Sequence, residues 1–276
     1  MSIINNDQAK LHKATGMSSK VISKNLKKFN LLGHKLNDQS KNTDKALENV
    51  MKNNLIPYAK TLFENVKHDK AISLYECQKR FDLVTPSEPN KKVSMKPDGG
   101  ILFSGDLPIL VSEMKVQGTN DRRFFNKLRR QATGNAVERA AKNVRGAEMF
   151  FDYLPVFPYV IFASGCDFHP TETIASRLEM MNYGIPNKTI VITPETTDDS
   201  IEAELKELID SIDITKKRNK SIATVFCKSH KWDCMDNGSS LWTEEEIFKV
   251  LKSVLDKVYT VFQQPSLNAD PDFETL

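Results

Sequence analysis

An α/β fold is predicted by an alternation of two patterns along the chain. Five short apolar or alternating runs read as strands, at 99–104, 108–115, 156–164, 189–193 and 221–227. Between them lie longer segments with apolar residues at helical spacing. Strands interleaved with helices pack as layers around one sheet. A third observation sets the chemistry: the second strand begins apolar and ends in charge, as Ile109-Leu-Val-Ser-Glu113-Met114-Lys115.

Residues 1–40 are polar and Lys-rich and read as a loose basic arm. Thr43-Asp44 opens a helical pattern through Leu47, Val50, Met51 and Leu55 that is expected to stop near Pro57. Tyr58–Phe81 also reads as helix, and Val84–Lys92 as a Pro/Ser/Asn loop. Helices are predicted at 133–151, 172–182 and 202–212. Thr243-Glu-Glu-Glu246 has the spacing of a capping box. Behind it Ile247, Leu251, Val254, Leu255, Val258 and Phe262 trace one apolar helix face. The tail 266–276 is acidic and expected to fray. Residues 41–265 then form a single α/β domain, the size expected for a chain of 276 residues.

Hydrophobic content of 39% and charged content of 27% suit a water-soluble domain. The apolar run Leu154–Ala163 is interrupted by Pro155 and Pro158 and is too short to span a bilayer. The opening Met-Ser-Ile-Ile-Asn-Asn-Asp-Gln carries no apolar signal region. Cys77, Cys166, Cys227 and Cys234 are scattered, and with His230 they form no zinc spacing, so reduced thiols in a cytoplasm are expected. No G-x-x-x-x-G-K loop and no H-E-x-x-H are present, so ATP-driven translocation is not supported.

Asp98, in the turn Lys96-Pro97-Asp98-Gly99-Gly100, precedes Glu113-Met114-Lys115 by fifteen residues. Side chains alternate along a strand, so Glu113 and Lys115 share one face while Met114 points to the core. A turn carboxylate beside them completes an oxygen site for a hard cation. A lysine there can hold or deprotonate a water, which is equipment for metal-assisted phosphodiester hydrolysis.

Charge points to the substrate. Residues 114–145 hold nine Lys/Arg against two Asp/Glu, a net +7 in a chain of net +3. Residues 1–150 are net +12 and residues 151–276 net −9. That asymmetry is a nucleic-acid footprint. Downstream, Asn135, Ala136 and Arg139 fall in the first turns of a predicted helix. These are residue types that read adenine, the thymine methyl and base acceptors in a major groove. The alternative for them is an N-cap and a solvated helix face.

Five segments, in this order, resemble the EcoRI-like type II restriction endonucleases of the PD-(D/E)xK nuclease superfamily. They are Lys96-Pro-Asp98-Gly-Gly-Ile101, Glu113-Met-Lys115-Val-Gln117-Gly118, Gly134-Asn135-Ala136-Val-Glu138-Arg139, Phe157–Phe162 with Gly165, and Asn182-Tyr-Gly-Ile-Pro186. The resemblance covers roughly residues 94–190. It implies a mixed five-stranded sheet flanked by helices, with a DNA-embracing arm at about 118–131. It implies a homodimer, functionally paired with a DNA methyltransferase, that cuts a six-base palindrome in double-stranded DNA with Mg²⁺. Asp98 and Glu113 would hold the metal, and Lys115 would orient the water. Asn135, Ala136, Glu138, Arg139, Arg177 and Gln117 would serve base recognition. Lys96, Arg122, Arg123, Lys127, Arg129, Arg130, Lys142 and Arg145 would contact phosphates.

The matched helix motif implies an AATT centre. Of two recognition arginines expected upstream of Asn-Tyr-Gly, only Arg177 has a counterpart, the other position falling near Ile174, and Thr133 replaces an alanine. Those departures bear on the outer base pair. GAATTC is the favoured site and CAATTG the competitor, both cut to leave 5′ overhangs. Two other classes share part of the equipment. A repair or junction-resolving nuclease needs the acids and lysine but no base-reading helix; a non-catalytic DNA-binding protein needs neither acid.

Overall fold

The strand Pro158–Ser164 is apolar along most of its length, and every residue in it is buried. Such a run belongs in the middle of a sheet covered on both faces, and it lies third from one edge and fourth from the other. The computed structural model describes residues 42–80, 92–118, 120, 123, 128–129, 138, 142–143, 146–147, 149–151, 158–168, 188–191, 197–210, 222–228 and 241–263. The expected N-terminal arm (1–40), the helix at 172–182 and the acidic tail lie outside them.

In chain order the elements begin with a helix over residues 42–50 (α1), a π-turn at Met51–Leu55 and a helix at Ile56–Leu62 (α2). Strands Val66–Asp69 (β1) and Ile72–Ser73 (β2) follow, then a helix at Leu74–Arg80 (α3). Next come strands Ser94–Met95 (β3), Gly100–Ser104 (β4), Leu107–Val116 (β5), Pro158–Ser164 (β6) and Lys188–Val191 (β7). Helix Asp198–Asp210 (α4), strand Ile222–Lys228 (β8) and helix Glu244–Phe262 (α5) complete the order. Between 138 and 151 every described position is helical.

The main sheet has the order β1-β4-β5-β6-β8-β7. It is mixed: β1, β4 and β5 are antiparallel, whereas β5, β6, β8 and β7 run parallel. All five strands expected from the sequence are in it, and β1 adds a sixth at the edge. Strand alternation divides the core. Ile101, Phe103, Val111, Tyr159, Ile161, Ala163 and Cys227 face Ala147, Phe150 and Phe151. Leu102, Leu110, Met114, Val160, Phe162 and Phe226 face α1, the π-turn and α5. Between Leu102 and Phe103 the β4–β5 register shifts. Ile109 is the extra residue, which puts it and its neighbour Leu110 on one face, as a β-bulge does.

Two expectations fail, both before residue 82. The first helix does not stop at Pro57, because proline is tolerated within the first turn of α2, where its missing N–H is no loss. The helix expected over Tyr58–Phe81 instead breaks at Phe63, whose backbone is extended (φ −120°, ψ 148°). Its middle becomes β1, paired Val66↔Ser104 through Asp69↔Ile101. Local propensity is a weak prior, and the unpaired edge of β4 supplies ladder hydrogen bonds that a surface helix would leave unmet.

The capping box at the start of α5 forms as expected. Thr243 Oγ1 accepts from Glu246 N (3.2 Å), and Glu246 Oε2 accepts from Thr243 N (2.9 Å). Glu246 also takes Lys228 Nζ at 2.7 Å. Burial alone would raise the Glu246 carboxyl, but Lys228 and the Thr243 backbone outweigh it and hold the group below the usual carboxylate range. A lowered folded pKa gives stability that is present above the unfolded value and lost as pH falls through the folded one. Thr243→Ala is therefore expected to cost about 1 kcal/mol in urea unfolding near neutral pH. The contribution of Glu246 should fade on acidification through the carboxylate range. An unchanged midpoint for Thr243→Ala would show that the box is not holding α5.

Candidate active site

The turn carrying Asp98 is held by its own backbone. Gly100 N donates to Pro97 O and Gly99 N to Ser112 O, both at 3.0 Å. Both glycines are required. Gly100 has φ +78°, and a Cβ on Gly99 would lie 2.0 Å from Ser112 Oγ. From β1, His68 Nε2 lies 3.0 Å from Gly99 O. A carbonyl can only accept, so Nε2 is the donor in this contact. The edge strand thus pins the Asp98 turn against β5.

Alternation places Glu113 and Lys115 on one face of β5 and sends Met114 into the opposite core, as the sequence predicts. Asp98 joins them. Asp98 N donates to Glu113 Oε2 (3.0 Å), and Met114 N donates to Asp98 Oδ2 (3.2 Å). Lys115 Nζ is 3.7 Å from Asp98 Oδ2, donates to Met114 O at 3.1 Å, and forms a close ion pair with Glu113 Oε1. Asp98 is the open end of the group, with 39% of its side chain exposed against 6% for Glu113. Burial pushes the Glu113 carboxyl above its ordinary value; Lys115 opposes that shift and the Asp98 charge adds to it. A carboxylate raised by desolvation and by a second carboxylate is a group that gains from a bound cation.

Side chains absent from the sequence reading also belong to this centre. Asn143 Nδ2 donates to Glu113 Oε1 at 2.8 Å. The Tyr159 hydroxyl is buried beneath; burial, then the Glu113 and Asp98 charges, push it well above its usual value. Asp44 on α1 is raised by partial loss of solvent and then by the Asp98 charge, so a third carboxylate faces the open end. These groups come from 30 to 54 residues away in sequence from the acids they face, and no local motif marks them. An open cleft of about 590 Å³, lined by Asp44, Lys45, Lys70, Lys96 and Asp98 among others, leads to the open carboxylate.

The oxygen donors suit a hard cation. Among the described residues no three His, Cys, Asp or Glu side chains converge as a closed cage. Mg²⁺ does not need one, since it is commonly held by one or two carboxylates with water and substrate phosphate completing its shell.

Of the other sequence-predicted residues, Lys96, Glu138, Lys142 and Arg129 are exposed, and Arg123 and Gln117 are half-buried. Arg123 Nε donates to Arg129 O at 2.6 Å. Gln117 is locked through its backbone, donating to Ser164 O (2.9 Å) and accepting from Asp167 N (3.3 Å). Asp167 is a buried acid that no motif announced. Its Oδ1 accepts from Asn120 N at 3.0 Å and so fixes the base of the predicted arm. Arg122, Lys127, Arg130, Asn135, Ala136, Arg139, Arg145 and Arg177 lie outside the described residues. Cys77, Cys166 and Cys227 are buried thiols outside any disulfide. Among the described residues no helix is long and apolar enough to cross a membrane.

The family model described as restriction endonuclease EcoRI matches residues 32–264. The type II restriction enzyme EcoRI of Escherichia coli is 33% identical over 127 residues, covering 34% of this chain and 46% of that enzyme. The chain thus spans about half the length of this curated relative. With the family model running through most of its length, including Asp98, Glu113 and Lys115, the chain belongs to the EcoRI restriction endonuclease family.

Proposed function

We propose that the protein is a type II restriction endonuclease that cuts both strands of DNA at a palindromic six-base site, using Mg²⁺ held by Asp98 and Glu113. The convergence of Asp98, Glu113 and Lys115 at one end of β5 is the observation that carries this reading. When bound, the ion neutralises charge on the reacting phosphate and makes water a better nucleophile. The chain's own groups do the rest. Lys115, one face-partner of Glu113, holds the attacking water and takes up charge. Lys96 sits at the cleft beside Asp98 and meets the phosphate. Arg129 and Lys142 are exposed cations on the basic stretch and track the backbone.

Asn135, Ala136 and Arg139 read the AATT centre, supported by Glu138, with Gln117 and Arg177 at the outer pair. Arg122, Arg123, Lys127, Arg130 and Arg145 complete the phosphate contacts. A palindrome is read by a two-fold protein, so the active species is a homodimer, each copy reading one half-site. A host needs a methyltransferase to protect its own copies of the site. GAATTC is the favoured sequence, CAATTG the alternative, and cleavage after the first base leaves four-base 5′ overhangs.

Digestion of DNA carrying each site, with the ends mapped, tests this reading. Discrete fragments ending at an AATT-centred site are expected with Mg²⁺ and none with EDTA. Nicking that follows DNA structure would indicate a repair or junction nuclease; no cutting would indicate a binding protein. Cutting at a site without AATT would overturn the assignment of Asn135, Ala136 and Arg139. Two variants separate positioning from reading. Arg129→Ala should weaken binding to all DNA and reduce the salt dependence by about one counterion. Arg139→Ala should cost roughly 1–3 kcal/mol on the cognate site alone. Equal losses on cognate and random DNA in both variants would misplace the reading helix.

A further inference from the structure

Glu113 is 4% exposed, and its carboxylate accepts from three side-chain or backbone donors. Two of them, Asp98 N and Lys115 Nζ, belong to the centre itself. The third, Asn143 Nδ2 at 2.8 Å, comes from another layer of the molecule. The Asn143 side chain also lies near the buried Tyr159 hydroxyl, whose proton it helps to loosen against the effect of burial. Tyr159 is 2% exposed on β6, opposite Val111 of β5. Asn143 thus sits beside a buried strand residue and donates to one oxygen of Glu113.

The segment that carries Asn143 is anchored further along. Ala147, Phe150 and Phe151 pack into the sheet, and Cys77 Sγ donates to Phe150 O at 2.8 Å. Asn143 follows Lys142 directly and Arg139 by four residues. Any axial or rotational displacement of this segment changes the donor at Glu113. The choice of amide has a chemical consequence. A neutral donor fixes Glu113 Oε1 without competing for charge. Without it, Lys115, already paired with Glu113 Oε1, is the one side-chain donor left to that oxygen, and nothing neutral competes with the ion pair for the metal-facing carboxylate.

We propose that Asn143 is a positioning residue that makes the catalytic geometry of Glu113 and Lys115 depend on how the segment containing Glu138 and Lys142 is seated. This rests on the nuclease reading of the centre. Groups that orient metal-binding carboxylates commonly account for roughly 10–100-fold in activity or metal affinity.

The test uses the full chain with Asn143→Ala and the near-isosteric Asn143→Asp. Four quantities are measured: single-turnover cleavage of a duplex carrying the mapped site, binding of that duplex without divalent cation, Mn²⁺ affinity of the free protein by calorimetry, and the thermal midpoint. Asn143→Ala is expected to slow cleavage and weaken Mn²⁺ binding by about 10–100-fold, with duplex affinity and thermal midpoint near those of the unmodified protein. Asn143→Asp, which removes the donor but keeps the shape, should lose cleavage at least as severely. The proposal is overturned if Asn143→Ala cuts and binds Mn²⁺ normally, or if its cleavage loss is matched by its loss of duplex binding, which would make Asn143 a DNA contact. If the unmodified protein cuts no DNA, the nuclease reading fails, and the Mn²⁺ affinities of the variants still decide whether Asn143 positions Glu113.

Discussion

Glu113→Ala is expected to abolish Mg²⁺-dependent cleavage, by at least ~10²-fold, while binding to the cognate duplex persists. The expectation follows from where the carboxylate sits. Glu113 is buried, its proton affinity raised by burial and by Asp98, and its two oxygens are taken by Asp98 N, Lys115 Nζ and Asn143 Nδ2. Removing it deletes half of the charge available to a cation and frees Lys115 from its partner. Asp98→Ala should behave in the same way, since Asp98 is the exposed member that meets the cleft. Lys115→Ala should bind and fail to cut. Binding persists, or tightens, because an acid facing DNA phosphate repels it in the metal-free protein. Single-turnover cleavage and filter binding on the same preparations measure both quantities. Substantial Mg²⁺-dependent cutting by either acid variant would remove Asp98 and Glu113 from the catalytic centre.

Phe162→Ala is expected to destabilise the fold by about 3–5 kcal/mol, the usual range for a phenylalanine removed from a packed core. Phe162 is fully buried on β6. Its ring stacks on Phe226 of β8 at 6.0 Å and meets the edge of Trp242 at 4.9 Å. Trp242 is fixed in place, its Nε1 donating to Ala163 O at 3.1 Å. The surrounding groups therefore have little room to collapse into the void. Such a loss is a large part of the ~5–15 kcal/mol by which a domain is usually stable. Urea unfolding followed by tryptophan fluorescence reads it directly. A loss below about 1 kcal/mol would mean that this face of the sheet repacks, contrary to the close packing of protein interiors.

Both variants act on strands whose character was legible in the chain. Period-two alternation in β5 was enough to put Glu113 and Lys115 on one face and Met114 on the other, because a strand's side chains have no other option. An apolar run in 156–164 was enough to mark a core strand, and Thr243…Glu246 marked the start of α5, because apolar runs and caps are local chemistry. The glycines after Asp98 marked the tight turn that brings a second carboxylate to β5.

What the tertiary structure alone decided is non-local. It made β1 from residues with helical spacing, because the open edge of β4 offered backbone partners that outweighed propensity. It brought Asp44 to Asp98 from 54 residues away, Asn143 to Glu113 from 30, and Asp167 to Asn120 from 47. The first is a shared cleft wall and the other two are single hydrogen bonds between distant segments, with no periodicity to announce them. A motif can show which groups a strand presents to one face; it cannot show what the next layer places against them. That depends on the summed packing of two cores, which is why the chemistry of the centre was readable from the chain and the groups that hold it in place were not.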